Sequence, residues 1–258
     1  MSSFSSYAIM PLAGLAAGVL AGFLGVGGGV LLVPLLLFLG FSIDQATATS
    51  LLAILITASV GSWQNWRMGY LQPRQVLLLA FPAVALVVAG TEVGRSLPDA
   101  WRQGLFGLLL LSNLYLVSLK RRVVNHAVDS SPTISPTAAR IATGGTAGFM
   151  AGLFGVGGGV VMVPLQLLLL DTEIKTAVRN SLGVIVITSL VASAYNFFKG
   201  DIVLGAGVSL GLGGLLGVQL STRFLPRLPA QLVSWLFRGL LCLLAIYVFL
   251  QLWFSHSP

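Results

Sequence analysis

Apolar residues fill long blocks of this chain, separated by short polar or glycine-rich stretches. Taking about 20 apolar residues as the length that crosses a bilayer, the blocks are Tyr7 to Gly40, Ile43 to Trp66, Val76 to Gly94, Ala100 to Leu119, Ala138 to Leu170, Thr176 to Phe198, Ile202 to Leu220 and Leu232 to Phe254. Tyr7 to Gly40 and Ala138 to Leu170 are longer than one crossing and contain glycine runs. Both halves follow the same order, one long broken block and then three plain ones. The pattern predicts an all-α integral membrane protein built from two equivalent units.

Side-by-side reading makes the duplication explicit. Ala21 to Pro34 reads AGFLGVGGGVLLVP, and Ala151 to Pro164 reads AGLFGVGGGVVMVP, 130 residues later. After the glycines the halves realign with one inserted residue, so Thr49-Ser50-Leu51 matches Asn180-Ser181-Leu182, Asn65 matches Asn196 and Phe106 matches Phe237. Residues 1–119 form the first repeat, 120–137 a central linker and 138–258 the second repeat, within one membrane domain spanning 1–258. The linker, with Lys120-Arg121-Arg122, His126, Asp129 and several Ser and Pro residues, is expected to be exposed.

Composition agrees: 56% of residues are hydrophobic, 8% are charged, and mean hydropathy is +0.96. So few charges cannot cover a soluble domain. The N-terminal Met-Ser-Ser-Phe-Ser-Ser lacks the basic region of a secretory signal, so the first apolar block is expected to stay in the mature protein. The formal charge of +7 is scattered among apolar spans, which argues against nucleic acid and makes the basic residues reporters of orientation. If each broken block crosses once, the halves are parallel and the two sides carry nearly equal numbers of Lys and Arg. If each broken block is a hairpin, the halves are inverted. Arg67, Arg74, Lys120, Arg121, Arg122, Arg140, Lys175, Arg179, Arg223 and Arg227 then lie inside, against Arg95, Arg102 and Lys199 outside. The bias of ten to three predicts inverted repeats, each a glycine-broken helical hairpin plus three transmembrane helices, with the linker cytoplasmic and both termini opposite.

The glycine runs are the first candidates for chemistry. In a bilayer, irregular backbone survives only where it is buried in protein or lines a cavity, and paired broken helices at matching positions mark transporter sites. Gly25, Gly27, Gly28 and Gly29, with Gly155, Gly157, Gly158 and Gly159, each precede a new helical stretch starting at Val30 or Val160. Unpaired amides at a helix start suit a small anion. Close helix packing is the alternative use of glycine in membranes. Pro34 and Pro164 follow each run by five residues and either kink or merely enter the second arm.

A polar stripe recurs every seven residues on the second span of each half: Ser50, Thr57 and Gln64, then Ser181, Thr188 and Tyr195. The spacing shares one helix face and predicts a stripe pointing into the bundle. Thr57 and Thr188 are the candidate contacts near mid-span, while Asn65 and Asn196 lie closer to water. Trp63 and Trp66 read as interfacial anchors. Glu92 is the one carboxylate placed inside a span, with Gln219 at roughly the corresponding place in the second half; it is a candidate for proton coupling, with a simple ion pair to Arg95 as its alternative. Arg238, inside the last span, is a candidate counter-ion with snorkelling as the plainer role. Cys242 stands alone, and His126 and His256 fall outside the spans, so no disulfide, metal site or cofactor is expected and no enzymatic constellation emerges.

With GFLGVGGGVLLVP and GLFGVGGGVVMVP followed by TSLL and NSLG, the sequence resembles the sulfite exporter TauE/SafE family over essentially its whole length. The resemblance implies a permease for sulfite, sulfonates or related organic anions in a bacterial-type inner membrane. It also implies that Gly25, Gly27 to Gly29, Pro34, Ser50 and their second-half partners belong to the site or its gate. The expected partners are a small anion and the lipid bilayer; oligomeric state is left open. A passive anion channel or a non-transporting membrane scaffold would use the same elements.

Overall fold

The computed structural model describes residues 3–124 and 135–255, with side chains over 9–112 and 135–243. Ten α-helices occur among the described residues. They are α1 (Ser3–Leu24), α2 (Gly29–Phe38), α3 (Ile43–Arg67), α4 (Pro73–Ser96), α5 (Asp99–Val124), α6 (Pro136–Phe154), α7 (Gly159–Leu169), α8 (Ile174–Lys199), α9 (Leu204–Phe224) and α10 (Ala230–Ser255). A single 3-10 turn, Leu225–Arg227, extends α9. Four spans, Ile43–Arg67, Pro73–Ser96, Ile174–Lys199 and Leu204–Arg227, are long and apolar enough to cross a membrane. Gly29–Phe38 and Gly159–Leu169 are shorter apolar helices, and the stretches Ile9–Leu24 of α1 and Ala230–Leu243 of α10 are apolar as well. The expected all-α membrane class is therefore observed. Helix α5 continues to Val124 and α6 begins at Pro136, so both ends of the expected 120–137 linker are helical. The rest of that linker lies outside the described residues.

Helix starts follow local chemistry. Ser42 opens α3 with a capping box: its hydroxyl accepts from the Gln45 amide at 3.2 Å, and the Gln45 side chain accepts from the Ser42 amide at 3.3 Å. Ser135 caps α6 with its hydroxyl alone, which accepts from the Ala138 amide at 3.3 Å, and Pro136 sits in the first turn where no hydrogen bond is lost.

Each glycine-broken block folds back on itself. If α1 continued straight, Gly28 would lie about 16 Å beyond Ala17, eleven residues at 1.5 Å each. Instead, a Cβ on Gly28 would come within 3.0 Å of the Ala17 carbonyl oxygen. Gly158 returns likewise against Ala147 and Ala151.

The halves exchange partners: α1 packs on α9 and α6 on α4, while α3 and α8 pack on each other. Glycines at every fourth position allow this close approach. Gly14, Gly18 and Gly22 of α1 face Leu210, Gly214 and Ser221 of α9; Gly144, Gly148 and Gly152 of α6 face Leu79, Ala83 and Val87 of α4. Residue numbers rise together in both pairs, so α1 runs in the same direction as α9, and α6 as α4. Two ends of the bundle follow. At one end Arg179 stacks over Tyr70, 4.1 Å from the ring centre, and the Lys175 ammonium donates to the Pro226 carbonyl at 3.2 Å. At the other, Arg95 pairs with Asp201, and Lys199 lies 3.6 Å from Glu92.

Candidate functional site

The two glycine turns meet inside the bundle. Gly25, Gly27 and Gly28 have φ of 68°, 75° and 83°, and Gly155, Gly157 and Gly158 have 69°, 76° and 77°. A side chain is strained at such angles, which is why the turn needs glycine. The turns lie side by side in opposite senses, Gly25 against Gly159 and Gly29 against Gly155. A Cβ on Gly29 would lie 2.8 Å from the Gly155 oxygen, and one on Gly159 would lie 2.7 Å from the Val26 Cα. Ile54 of α3 and Ile185 of α8 both reach Gly27 and Gly157. Phe106 and Leu110 of α5, with Val233, Phe237 and Leu241 of α10, join Val26, Val30, Val156 and Val160 in one buried cluster. Apolar groups thus screen the turns from water.

Two serines tie each turn to the opposite half. Ser50 Oγ donates to the Gly155 oxygen at 2.7 Å, and Ser181 Oγ donates to the Gly25 oxygen at 2.7 Å. Both hydroxyls also reach the carbonyl three residues back on their own helix, Thr47 and Val178, at 2.8 Å. The amides present the opposite situation. Residues 26–30 and 156–160 are buried, and their N–H groups find no acceptor among the described residues. Buried amide donors are nearly always paired, so two facing sets of unpaired ones are the outstanding chemical feature of the fold.

Two arginines flank the turns, and sequence reasoning used them only to count charge. Arg102, 4% exposed, donates through Nε to the Leu153 carbonyl at the end of α6 (2.8 Å), through one terminal nitrogen to Asp44 (2.8 Å), and through the other to Thr47 Oγ1 (3.1 Å). It closes a helix C-terminus, where positive charge is favoured. Arg179, 9% exposed, follows Val178, the residue packed on Gly25; its Nε has no hydrogen-bond partner among the described residues. Neither residue has a basic counterpart, since Arg102 aligns with Val233 and Arg179 with Ala48. An arginine near the start of an apolar span and missing from the other half was the available signal.

The polar stripe does not form one ligand face. Ser50 and Ser181 reach the turns, but Thr57 donates to the Ala53 carbonyl at 2.9 Å and sits against Gly214 of α9. Thr188 donates to the Val184 and Ile185 carbonyls of its own helix, and Asn196 to Ala192 at 2.8 Å. Asn65 is fully buried, and neither side-chain polar atom has a partner among the described residues. Farther along, Gln64 faces a surface groove and Tyr195 donates to Glu92 at 2.6 Å. Each helix meets a different neighbour at successive turns, so a sevenfold spacing does not keep one environment.

Glu92 is half-exposed at the end of α4, bound by Tyr195 and Lys199, while Arg95 pairs with Asp201 instead. The sequence-based match of Glu92 with Gln219 is corrected by helix packing. Gly148 on Ala83 and Gly18 on Gly214 fix the register, which makes Arg223 the second-half equivalent of Glu92. Arg238 is half-buried on α10, which packs on α5. Pro34 and Pro164 lie inside α2 and α7. Trp63 and Trp66 are more than half-exposed, their ring centres 5.4 Å apart. No cluster of three His, Cys, Asp or Glu residues able to hold a metal occurs among the described residues.

Residues 10–248 match the sulfite exporter TauE/SafE family. The chain belongs to that family. Its relatives include the probable membrane transporter protein YunE of Bacillus subtilis (strain 168), 26% identical over 262 residues that cover 93% of this chain and 96% of the relative. YjnA of the same organism, also a probable membrane transporter protein, is 28% identical over 237 residues, covering 86% and 92%. A probable membrane transporter protein of Methanocaldococcus jannaschii is 28% identical over 189 residues, covering 70% and 69%. With its apolar helices, this TauE/SafE member is a multi-pass membrane transporter.

Proposed function

We propose that this protein is a secondary transporter of small anions, with sulfite and organosulfonates as the favoured class, and that the anion is held between the two glycine turns. The reading is carried by the unpaired, buried amides of residues 26–30 and 156–160. An anion accepting from them would satisfy donors whose neglect costs about 1–3 kcal/mol each. The family's description as a sulfite exporter supports the choice of anion.

Inverted repeats in an inner membrane complete the proposal. They are supported by the common direction of α1, α3 and α9, since Leu52, Ile56 and Gly61 of α3 lie against Gly207, Gly211 and Val218 of α9 in rising order, whereas a broken block that crossed once would leave α1 and α3 antiparallel. They are also supported by charge: Arg67, Lys175, Arg179 and Arg223 gather at one end, Arg95, Arg102 and Lys199 with Asp44, Glu92 and Asp201 at the other. The richly basic end is the cytoplasmic one. Rocking of one half against the other would then expose the turns alternately, with Ser50 and Ser181 as the links between the moving parts.

The test is flux into liposomes of sulfite, sulfate, thiosulfate, taurine, sulfoacetate and simple carboxylates, with and without a proton gradient, alongside anion-dependent thermal stabilisation. Saturable flux and stabilisation by the same anion are expected, both lost in Gly158→Val protein that still purifies folded. Non-saturable flux would make the protein a channel. Wild-type stabilisation in folded Gly158→Val would move the site away from the turns.

A further inference from the structure

A groove of about 410 Å³ opens on the outer surface between α3 and α9, lined by Val60, Trp63, Gln64, Arg67, Met68, Gln219 and Arg223. It lies at the end of the bundle where both helices finish. Arg67 and Arg223 are exposed, and neither has a hydrogen bond or ion pair among the described residues.

The duplication supplies a comparison within the molecule. The equivalent groove lies between α8 and α4 at the opposite end, where Tyr195 stands for Gln64, Lys199 for Met68 and Glu92 for Arg223. That groove carries its own counter-ion: Glu92 accepts from Tyr195 at 2.6 Å and lies 3.6 Å from Lys199. Between α3 and α9 the acid is replaced by arginine, a second arginine is added, and no carboxylate among the described residues pairs with them. Two guanidinium groups and two carboxamides in one recess form a donor set for a phosphate-like anion.

Depth identifies the source of that anion. The polar residues occupy the end of the groove at the aqueous edge, beside Trp63, and a tryptophan there marks the headgroup level. Toward mid-membrane, Val60 continues the groove floor, and Leu212 and Leu216 of α9 are 56% and 59% exposed. A cationic head-end above an exposed apolar track matches a molecule with an anionic head and a hydrocarbon tail. We propose that this groove binds the phosphodiester headgroup of an anionic phospholipid, with an acyl chain along α9. Basic recesses between helices on the cytoplasmic side have the chemistry for such headgroups. Because α3 and α9 come from different halves, the bound lipid straddles their contact.

The experiment uses the full chain in detergent, with native mass spectrometry and thermal unfolding as readouts. Phosphatidylglycerol is compared with phosphatidylcholine, inorganic phosphate and glycerol 3-phosphate. Wild-type protein should retain phosphatidylglycerol at least tenfold better than phosphatidylcholine, a difference of about 1.4 kcal/mol, and should unfold at higher temperature in its presence. Arg67→Gln/Arg223→Gln should lose that preference; Arg67→Lys/Arg223→Lys, which keeps the charge, should retain most of it and controls for folding. Equal retention of both lipids by wild type, or undiminished preference in the glutamine variant, would overturn the proposal. An equal thermal shift with inorganic phosphate or glycerol 3-phosphate would overturn the lipid as the source. None of these readouts depends on which anion is transported.

Discussion

Replacing Gly159 by alanine separates the contact between the two turns from the backbone freedom that glycine confers. Gly159 begins α7 with an ordinary helical φ, so alanine there meets no left-handed strain. What it meets is the other turn: the new Cβ would overlap the Gly25 carbonyl oxygen, lie 2.7 Å from the Val26 Cα and 2.9 Å from the Gly25 carbonyl carbon. Carbon atoms pack best at about 3.5–4.0 Å, so the backbones must separate by about 1 Å. Both are fixed by Ser50 and Ser181 and cannot step aside like a flexible side chain. The cost belongs at or above the upper end of the usual overpacking range, about 3 kcal/mol. Gly200→Ala is the comparison: φ is 80° there, but nothing lies within 4 Å of the new Cβ. Its cost is left-handed strain alone, about 1 kcal/mol.

Thermal unfolding in detergent and anion flux in liposomes read both variants. Gly200→Ala should lose little stability and keep its flux. Gly159→Ala should be markedly less stable and should lose anion-dependent stabilisation where it still folds, because separating the turns spreads their amides. Equal stability of the two variants, with flux intact in both, would refute the argument that the turns are in backbone contact.

Ser50→Ala and Ser181→Ala should each cost about 1 kcal/mol, and by nearly equal amounts because their hydrogen bonds are equivalent; unequal unfolding midpoints would show that the halves bear unequal load. Arg102→Leu should cost up to about 3 kcal/mol, as it leaves the Leu153 carbonyl without its donor, whereas Asp44→Asn, which keeps an acceptor oxygen on a side chain 41% exposed, should cost under about 1 kcal/mol; chemical denaturation compares them. In a Cys242→Ser background, Arg67→Cys and Lys199→Cys should react with impermeant thiol reagents from opposite sides of the membrane, and labelling of both from one side would exclude inverted repeats.

The glycine turns and Ser50 with Ser181 were legible because duplication repeats a requirement: a backbone conformation that only glycine adopts, and the hydroxyl that holds it, recur at matching positions. The hairpin followed from charge counting, since its alternative left the basic residues nearly balanced. Other features depend on partners distant in sequence. Thr57 has the composition of a site residue, yet its environment is set by Gly214, 157 positions away. The ladder Gly14, Gly18 and Gly22, with its copy at Gly144, Gly148 and Gly152, carried a fourfold spacing that was readable but overshadowed by the triple-glycine runs. Glu92 could not be assigned from local sequence, because Arg95, one turn away, is drawn to Asp201 and leaves Glu92 to Tyr195 and Lys199.

Symmetry also clarifies where the two ends of the protein differ. In the turns themselves each contact has an equal partner: Ser50 with Ser181, Ile54 with Ile185, Gly29 on Gly155 with Gly159 on Gly25. An anion held between them, as proposed, would therefore meet the same backbone donors from either half. Flanking side chains break this equality. Arg102 is saturated by Asp44, Thr47 and the Leu153 carbonyl, so its charge is answered inside the protein. Arg179, near the opposite end, faces the Tyr70 ring and leaves Nε unpaired among the described residues. Its acidic neighbour, Glu173, acts on it by charge and not by a hydrogen bond, and in surroundings of low dielectric constant such a guanidinium acts over several ångströms, from one end only. The chemical difference between the two approaches to the turns thus lies beside them, in residues that duplication did not copy.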